Sequence, residues 1–220
     1  MKNLWLWFLT IGVLTLIVFA FYFVSLQPIQ RPKLENPILA GSVTEPTVTF
    51  LNPARGNPTP KVTIITYSDF ECPACKQVNT SVEVVLRTYP DDVKQVWKDM
   101  PNEGAHPMAT PAAIAAKCAN TQGKFWEYHD LLFERQTFLA EDQFVQIARE
   151  VGLNETAFSA CYESQDTLPA VKKDFEEGLG LGVVATPTLY INGTSFVGAL
   201  TTDDLLAAVR DALLKAEQQP

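Results

Sequence analysis

The heptapeptide Phe70-Glu71-Cys72-Pro73-Ala74-Cys75-Lys76 sets two thiols three residues apart, with a proline directly after the first. Sulfur at that spacing can clamp a metal, staple a turn, or carry electrons by making and breaking its own disulfide. The thiolate is the nucleophile in exchange, so the question is what would make Cys72 acidic. A helix start would do so, because unpaired backbone N–H groups and the positive end of the helix dipole favour an anion at the N-cap. Cys75, one turn on, is placed to attack a mixed disulfide formed at Cys72 and is expected to be the less exposed of the two. Asp69 and Glu71 would oppose ionisation if their carboxylates approached the sulfur, and Ala74 offers no cation. The net expectation is a depressed Cys72 pKa.

The two other chemistries fit less well. A closed zinc site needs four ligands, normally with a second close pair, whereas Cys118, Cys161, His106 and His129 are scattered. A staple across so short a loop removes little chain entropy.

The elements around the pair can be read from periodicity. Val62-Thr63-Ile64-Ile65-Thr66-Tyr67 is a β-branched run bounded by Pro60 and Asp69, and reads as a buried strand. Pro73 suits the first helical position, and Val78, Val82, Val85, Leu86 and Tyr89 then recur at helical spacing. A second strand is predicted within Asp92–Met100. Helical patterns follow over Pro111–Asn120, Lys124–Gln136, Glu141–Val151, Glu155–Glu163 and Thr167–Leu179. Strand signal returns at Thr188–Ile191, where Asn192-Gly193 marks a tight hairpin into Ser195–Val197, and a capped helix runs from Thr201 or Thr202 through Lys215. The order is βαβ, a helical block, then ββα.

Composition narrows the function classes. Residues 61–220 hold 13 Lys/Arg against 23 Asp/Glu, which argues against nucleic acid as a partner. Leu4–Leu26 is free of charge and, as a helix, reaches about 34 Å, enough for a membrane's hydrocarbon core. Trp5, Trp7 and Tyr22 lie toward its ends, as interfacial aromatics do. Its length, and the lack of an A-x-A site after it, favour an uncleaved anchor over a signal peptide. Residues 27–45 read as a Pro-rich tether. Outside a reducing cytosol, an even number of cysteines suggests a Cys118–Cys161 disulfide, with the alternative that each is a small buried hydrophobe.

The remaining polar and aromatic residues have plainer readings. His106 reads as a structural loop residue and His129 as helix packing. Phe125, Trp126, Phe133 and Phe138 read as core, and the acidic runs Asp174-Glu176-Glu177 and Asp203-Asp204 as solvated surface or helix-start charge.

Taken as an ordered set, the motifs resemble the DsbA-like thiol:disulfide oxidoreductases. They are CPAC between strand and helix, Ala-Ala-Lys-Cys-Ala-Asn with Gln122-Gly123-Lys124-Phe125-Trp126 in a helical block, and Val184-Ala185-Thr186-Pro187-Thr188 before the last hairpin. The likeness covers residues 45–217. It implies an α/β thioredoxin fold over 46–217 with a helical insertion at about 104–180, which the apolar run read above precedes as one transmembrane helix over 1–26. It implies Cys72 and Cys75 as the catalytic pair, supported by Pro73 and Ala74. It further implies a cis Thr186-Pro187 bond beside them, with the Thr186 backbone offered to an extended substrate.

This chain departs from the family pattern at three points. Ala185 stands where members often carry glycine, no acid occupies Val62–Tyr67, and no histidine lies between the cysteines. The expected function is a membrane-anchored oxidase that forms disulfides in reduced, exported proteins on the extracytoplasmic side. By analogy it is reoxidised by a DsbB-like or VKOR-like membrane partner, and it needs no cofactor. A reductase or isomerase of the same fold and, further off, a thiol-based metal-delivery module are the rival readings.

Overall fold

The computed structural model describes residues 4–25 and 43–218. The Pro-rich tether expected over 27–45 therefore lies outside the described residues except for its last three. The chain divides into two units, 1–32 and 33–220. In the first, Leu4–Ser25 forms α1, a helix of 22 residues without a charged side chain. Among the described residues no helix is long and apolar enough to cross a membrane.

The second unit is built on a five-stranded sheet. Its strands are β1 (Ala54–Gly56), β2 (Val62–Ser68), β3 (Val93–Asp99), β4 (Thr188–Ile191) and β5 (Thr194–Val197). They lie in the order β1-β3-β2-β4-β5, with β2 and β3 parallel and the other pairs antiparallel. The parallel pair is joined through α2 (Pro73–Thr88), the crossover that parallel strands require. Side chains alternate along β2. Val62 and Ile64 pack with Val78, Val82 and Val85 of α2 and with Leu205 and Val209 of α8 (Thr202–Glu217). Ile65 and Tyr67 point to the other face, onto Phe175 of α7 (Leu168–Gly180). The hairpin forms as its Asn-Gly pair predicts, with φ of 43° at Asn192 and 85° at Gly193.

Between β3 and β4 lie α3 (Ala109–Asn120), α4 (Phe125–Glu134), a 3-10 turn (Gln136–Phe138), α5 (Glu141–Glu150), α6 (Glu155–Ser164) and α7. They bury their own apolar core of alanines, Phe125, Tyr128, Leu132, Phe144 and Phe158, and that core runs on to Phe70, Cys72 and Cys75. The disulfide expected in this block is present: Cys118 of α3 and Cys161 of α6 are bonded, with Cα atoms 5.9 Å apart. The α/β fold with a helical insertion is thus as the sequence implies.

One element was missed and two expectations need correction. The strand β1 was not anticipated; it adds to β3, and its Arg55 donates to Gln95 at 2.7 Å and lies 4.2 Å over the Trp126 ring. Phe138 is not core, being 79% exposed. Two of the three α7 acids, Asp174 and Glu177, are not solvated surface. Asp174 lies 3.1 Å from Lys98 and 2.9 Å from Lys117, and Glu177 lies 2.8 Å from Lys98 and accepts from the Tyr67 hydroxyl at 2.6 Å. Lys117 also pairs with Asp99 at 3.2 Å. The reason is mutual: each buried charge is tolerable only because the others sit beside it. The network fastens α3 and α7 to the sheet, and Thr47, whose N–H donates to Glu177 at 2.9 Å, draws the N-terminal segment of this unit onto the same helix. Asp203 and Asp204 do behave as expected, exposed in the first turn of α8, with Thr201 capping the Asp204 N–H.

Candidate active site

The thiol pair sits where β2 hands over to α2. Cys72 is the N-cap in extended conformation (φ −74°, ψ 117°), and Pro73 occupies the first turn, where a missing N–H costs nothing. The Cys72 carbonyl accepts from the N–H groups of Cys75 at 3.0 Å and Lys76 at 3.2 Å, which begins the helix. Both cysteines are reduced and buried, Cys72 at 7% exposure and Cys75 at 1%. Across from them the Thr186-Pro187 bond is cis, and the Cys72 thiol donates to the Thr186 carbonyl at 3.4 Å. The structure therefore brings Cys72, Pro73, Ala74, Cys75, Thr186 and Pro187 together, while Cys118 and Cys161 are bonded to each other within the insertion.

The two sulfurs are electrically unequal. The neutral Cys72 thiol makes no capping hydrogen bond to α2; it is the anion that the site favours. The Cys75 thiol, the N–H groups of Cys75 and Ala74, and the Thr186 side chain bring Cys72 down to about 6 against the opposing effect of burial, the Cys75 thiol contributing most. Burial first, and then the neighbouring sulfur, push Cys75 well above an ordinary thiol. One proton is thus held by Cys75 while Cys72 is free of it, the asymmetry that attack at one sulfur and resolution at the other require.

The two acids that threatened this arrangement are turned away from the sulfur. Asp69 accepts from the N–H of Glu71 at 2.8 Å, from the N–H of Asn102 at 2.9 Å, and lies 2.7 Å from His106 Nδ1. Glu71 accepts from the Met108 N–H, and its burial raises its own pKa. Asp69 is therefore a clamp between the turn before Cys72 and the loop after β3.

A second clamp was invisible in the sequence. The Gln136 side-chain amide donates to the carbonyls of Phe70 at 2.7 Å and Cys72 at 2.9 Å, so the insertion holds the reactive turn through one side chain. Replacing Gln136 with alanine is expected to cost about 1–3 kcal/mol, because a part-buried carbonyl loses its partner. Urea unfolding checks this, and an unchanged midpoint would show the clamp to be dispensable. His129, expected as packing, is fully buried among Phe70, Trp97, Trp126 and Phe133, and burial brings its pKa down to about 4.

Beside Thr186 opens a cleft of about 580 Å³, walled by Met100, Pro101, Phe175, Leu179 and Val183. Val184 stands at its rim, 91% exposed.

A family model described as thioredoxin matches residues 51–211. The chain belongs to the thioredoxin family. Two solved structures show how far the likeness to other thioredoxin folds extends. BdbD from Bacillus subtilis, in its oxidised form, superimposes with a TM-score of 0.70 at 20% identity, over 79% of this chain and 98% of that one. The thiol-disulfide exchange protein alpha-DsbA2 from Wolbachia pipientis gives 0.65 at 21% identity, over 74% and 87%. These share the thioredoxin fold with its helical insertion, as the DsbA-like resemblance implied. Among curated proteins, Na(+)/H(+) antiporter NhaA 3 of Salinispora tropica is 34% identical over 166 residues, 76% of this chain but 25% of that protein. The chain thus spans about a quarter of the length of the curated relatives it matches.

Proposed function

We propose that this thioredoxin-family chain is a membrane-anchored thiol:disulfide oxidoreductase that forms disulfides in reduced, exported proteins through Cys72 and Cys75. The observation that carries the reading is the asymmetric thiol pair, with Cys72 brought to about 6 at a helix start and facing the cis Thr186-Pro187 segment. In the oxidised enzyme a client thiolate attacks the Cys72 sulfur, forms a mixed disulfide, and releases Cys75, which takes a proton. The client's second thiolate attacks its own sulfur in that mixed disulfide and releases Cys72 as the thiolate. The client loses two electrons and two protons; the Cys72–Cys75 couple gains both electrons and one proton, and the other proton passes to a base outside the couple. Because Cys72 leaves as a stabilised anion, the reduced enzyme is favoured and its disulfide is a good oxidant.

Two features support an extracytoplasmic location. The apolar run Leu4–Leu26 is long enough for an anchor, and a Cys118–Cys161 disulfide belongs to an oxidising compartment. The catalytic unit then faces the extracytoplasmic side, and a DsbB-like or VKOR-like membrane enzyme restores the disulfide. An extended client segment lies along the cleft beside Thr186.

The test is equilibration of the full-length protein, in detergent, with glutathione, together with oxidation of a reduced dithiol peptide. A potential above about −200 mV and stoichiometric peptide oxidation are expected. A potential near that of thioredoxin, about −270 mV, would overturn the oxidase in favour of a reductant.

A further inference from the structure

The CPAC turn supplies no cation of its own, and the Lys76 ammonium is directed at the Glu134 carbonyl 3.3 Å away. A titratable base, His106, reaches the turn from elsewhere in the fold. The loop after β3 is tied back on itself by the His106 N–H, which donates to the Asn102 carbonyl at 2.8 Å. It is tied to the turn before α2 by the Asn102 and Met108 N–H groups, which donate to Asp69 and Glu71 respectively. That fixes the His106 ring against the Asp69 carboxylate, with the imidazole 22% exposed and the carboxylate fully buried. Because Nδ1 faces a carboxylate, Nδ1 carries the hydrogen and Nε2 is the nitrogen that titrates.

The charged and titratable groups acting on this ring are Asp69 and Glu71 from the turn and Cys72 from the helix start. Glu103, in its own loop, accepts from the Thr110 hydroxyl. Burial disfavours the imidazolium, but the Asp69 hydrogen bond and the charges of Asp69, Cys72 and Glu71 outweigh it, and the His106 pKa is raised.

We propose that the Asp69–His106 pair is a redox-linked proton acceptor for the Cys72–Cys75 couple, its imidazole charged when the couple is reduced and discharged when the disulfide forms. A client dithiol releases two electrons and two protons on oxidation. Both electrons break the Cys72–Cys75 bond, one proton goes to Cys75, and His106 takes the second in place of bulk water. The direction follows from charge: reduction creates a thiolate at Cys72, which favours the imidazolium, and disulfide formation removes it. By reciprocity the imidazolium favours the Cys72 thiolate. His106 acts through Cys72, so it is a positioning residue.

The inference rests on the redox reading of Cys72 and Cys75, and the experiment separates the two. The chain has two histidines, so a full-length sample in detergent with labelled imidazole carbons gives two signals to titrate. His129, sealed in its aromatic box, is the internal reference. The His106 midpoint is expected at higher pH in the reduced protein than in the oxidised protein, with the His129 signal the same in both. Between the two His106 midpoints, reduction takes up one additional proton, so the equilibrium constant with glutathione changes by a further tenfold per pH unit. His106→Gln is expected to raise the pH at which Cys72 ionises; for a rise of one pH unit, the thiolate fraction at the wild-type midpoint falls about five-fold. A His106 midpoint identical in both redox states overturns the proposal, as does an unchanged Cys72 midpoint in a folded His106→Gln protein. If that variant does not fold, the wild-type titration decides alone. An enzyme that exchanges disulfides while His106 stays silent removes only this inference; a wild-type protein with no exchange removes the proposed function.

Discussion

Serine at position 72 is expected to bring oxidation of a dithiol peptide down to the uncatalysed background, and the same experiment extended across pH reports why. With Cys72 near 6, about nine-tenths of the reduced protein carries the thiolate at pH 7, against a few per cent for an ordinary cysteine. The rate of alkylation by iodoacetamide should rise with pH through a midpoint near 6, while the buried Cys75 stays unmodified. A midpoint near 8.5, or equal reactivity of both sulfurs, would remove the chemical basis of the proposed function. Stability has a matching sign. The folded pKa lies below the ordinary value of about 8.5, so reduced protein gains stability from this thiolate in full above the unfolded value and loses it as pH falls through about 6.

Removing the insertion's crosslink should be the largest purely structural perturbation. The Cys118–Cys161 bond closes 43 residues of chain, and the chain-entropy relation gives about 4 kcal/mol for a loop of that length. The double substitution to alanine is expected to lower unfolding free energy by about that amount, measured by urea denaturation with the Cys72–Cys75 couple held oxidised. A loss under about 1 kcal/mol would mean that α3 and α6 are held by packing alone.

What could be read in advance was what is local. The Val62–Tyr67 run, the Pro73 helix start and the Asn192-Gly193 turn each declare themselves within a few residues, and each formed where expected. Helical periodicity gave the insertion, to within two residues at the start of α3. Three of the failures share one cause, a partner far away in the chain. Asp174 reads as a surface acid until Lys98 and Lys117, at the end of β3 and in α3, are brought against it. Gln136 is an unremarkable polar residue after a helix until its amide meets two carbonyls more than sixty positions earlier. His106 gave no local sign of Asp69. The strand β1 is three residues, Ala-Arg-Gly, with no alternation to detect.

The bond between Cys118 and Cys161 has one more consequence for the proposed activity. A freshly synthesised chain arrives with four thiols, and until two of them are joined inside the helical block it is itself an unfinished client. A donor of crosslinks that must first receive one inherits its maturity from an older copy or from another oxidant, so cells starting without either would accumulate the immature form.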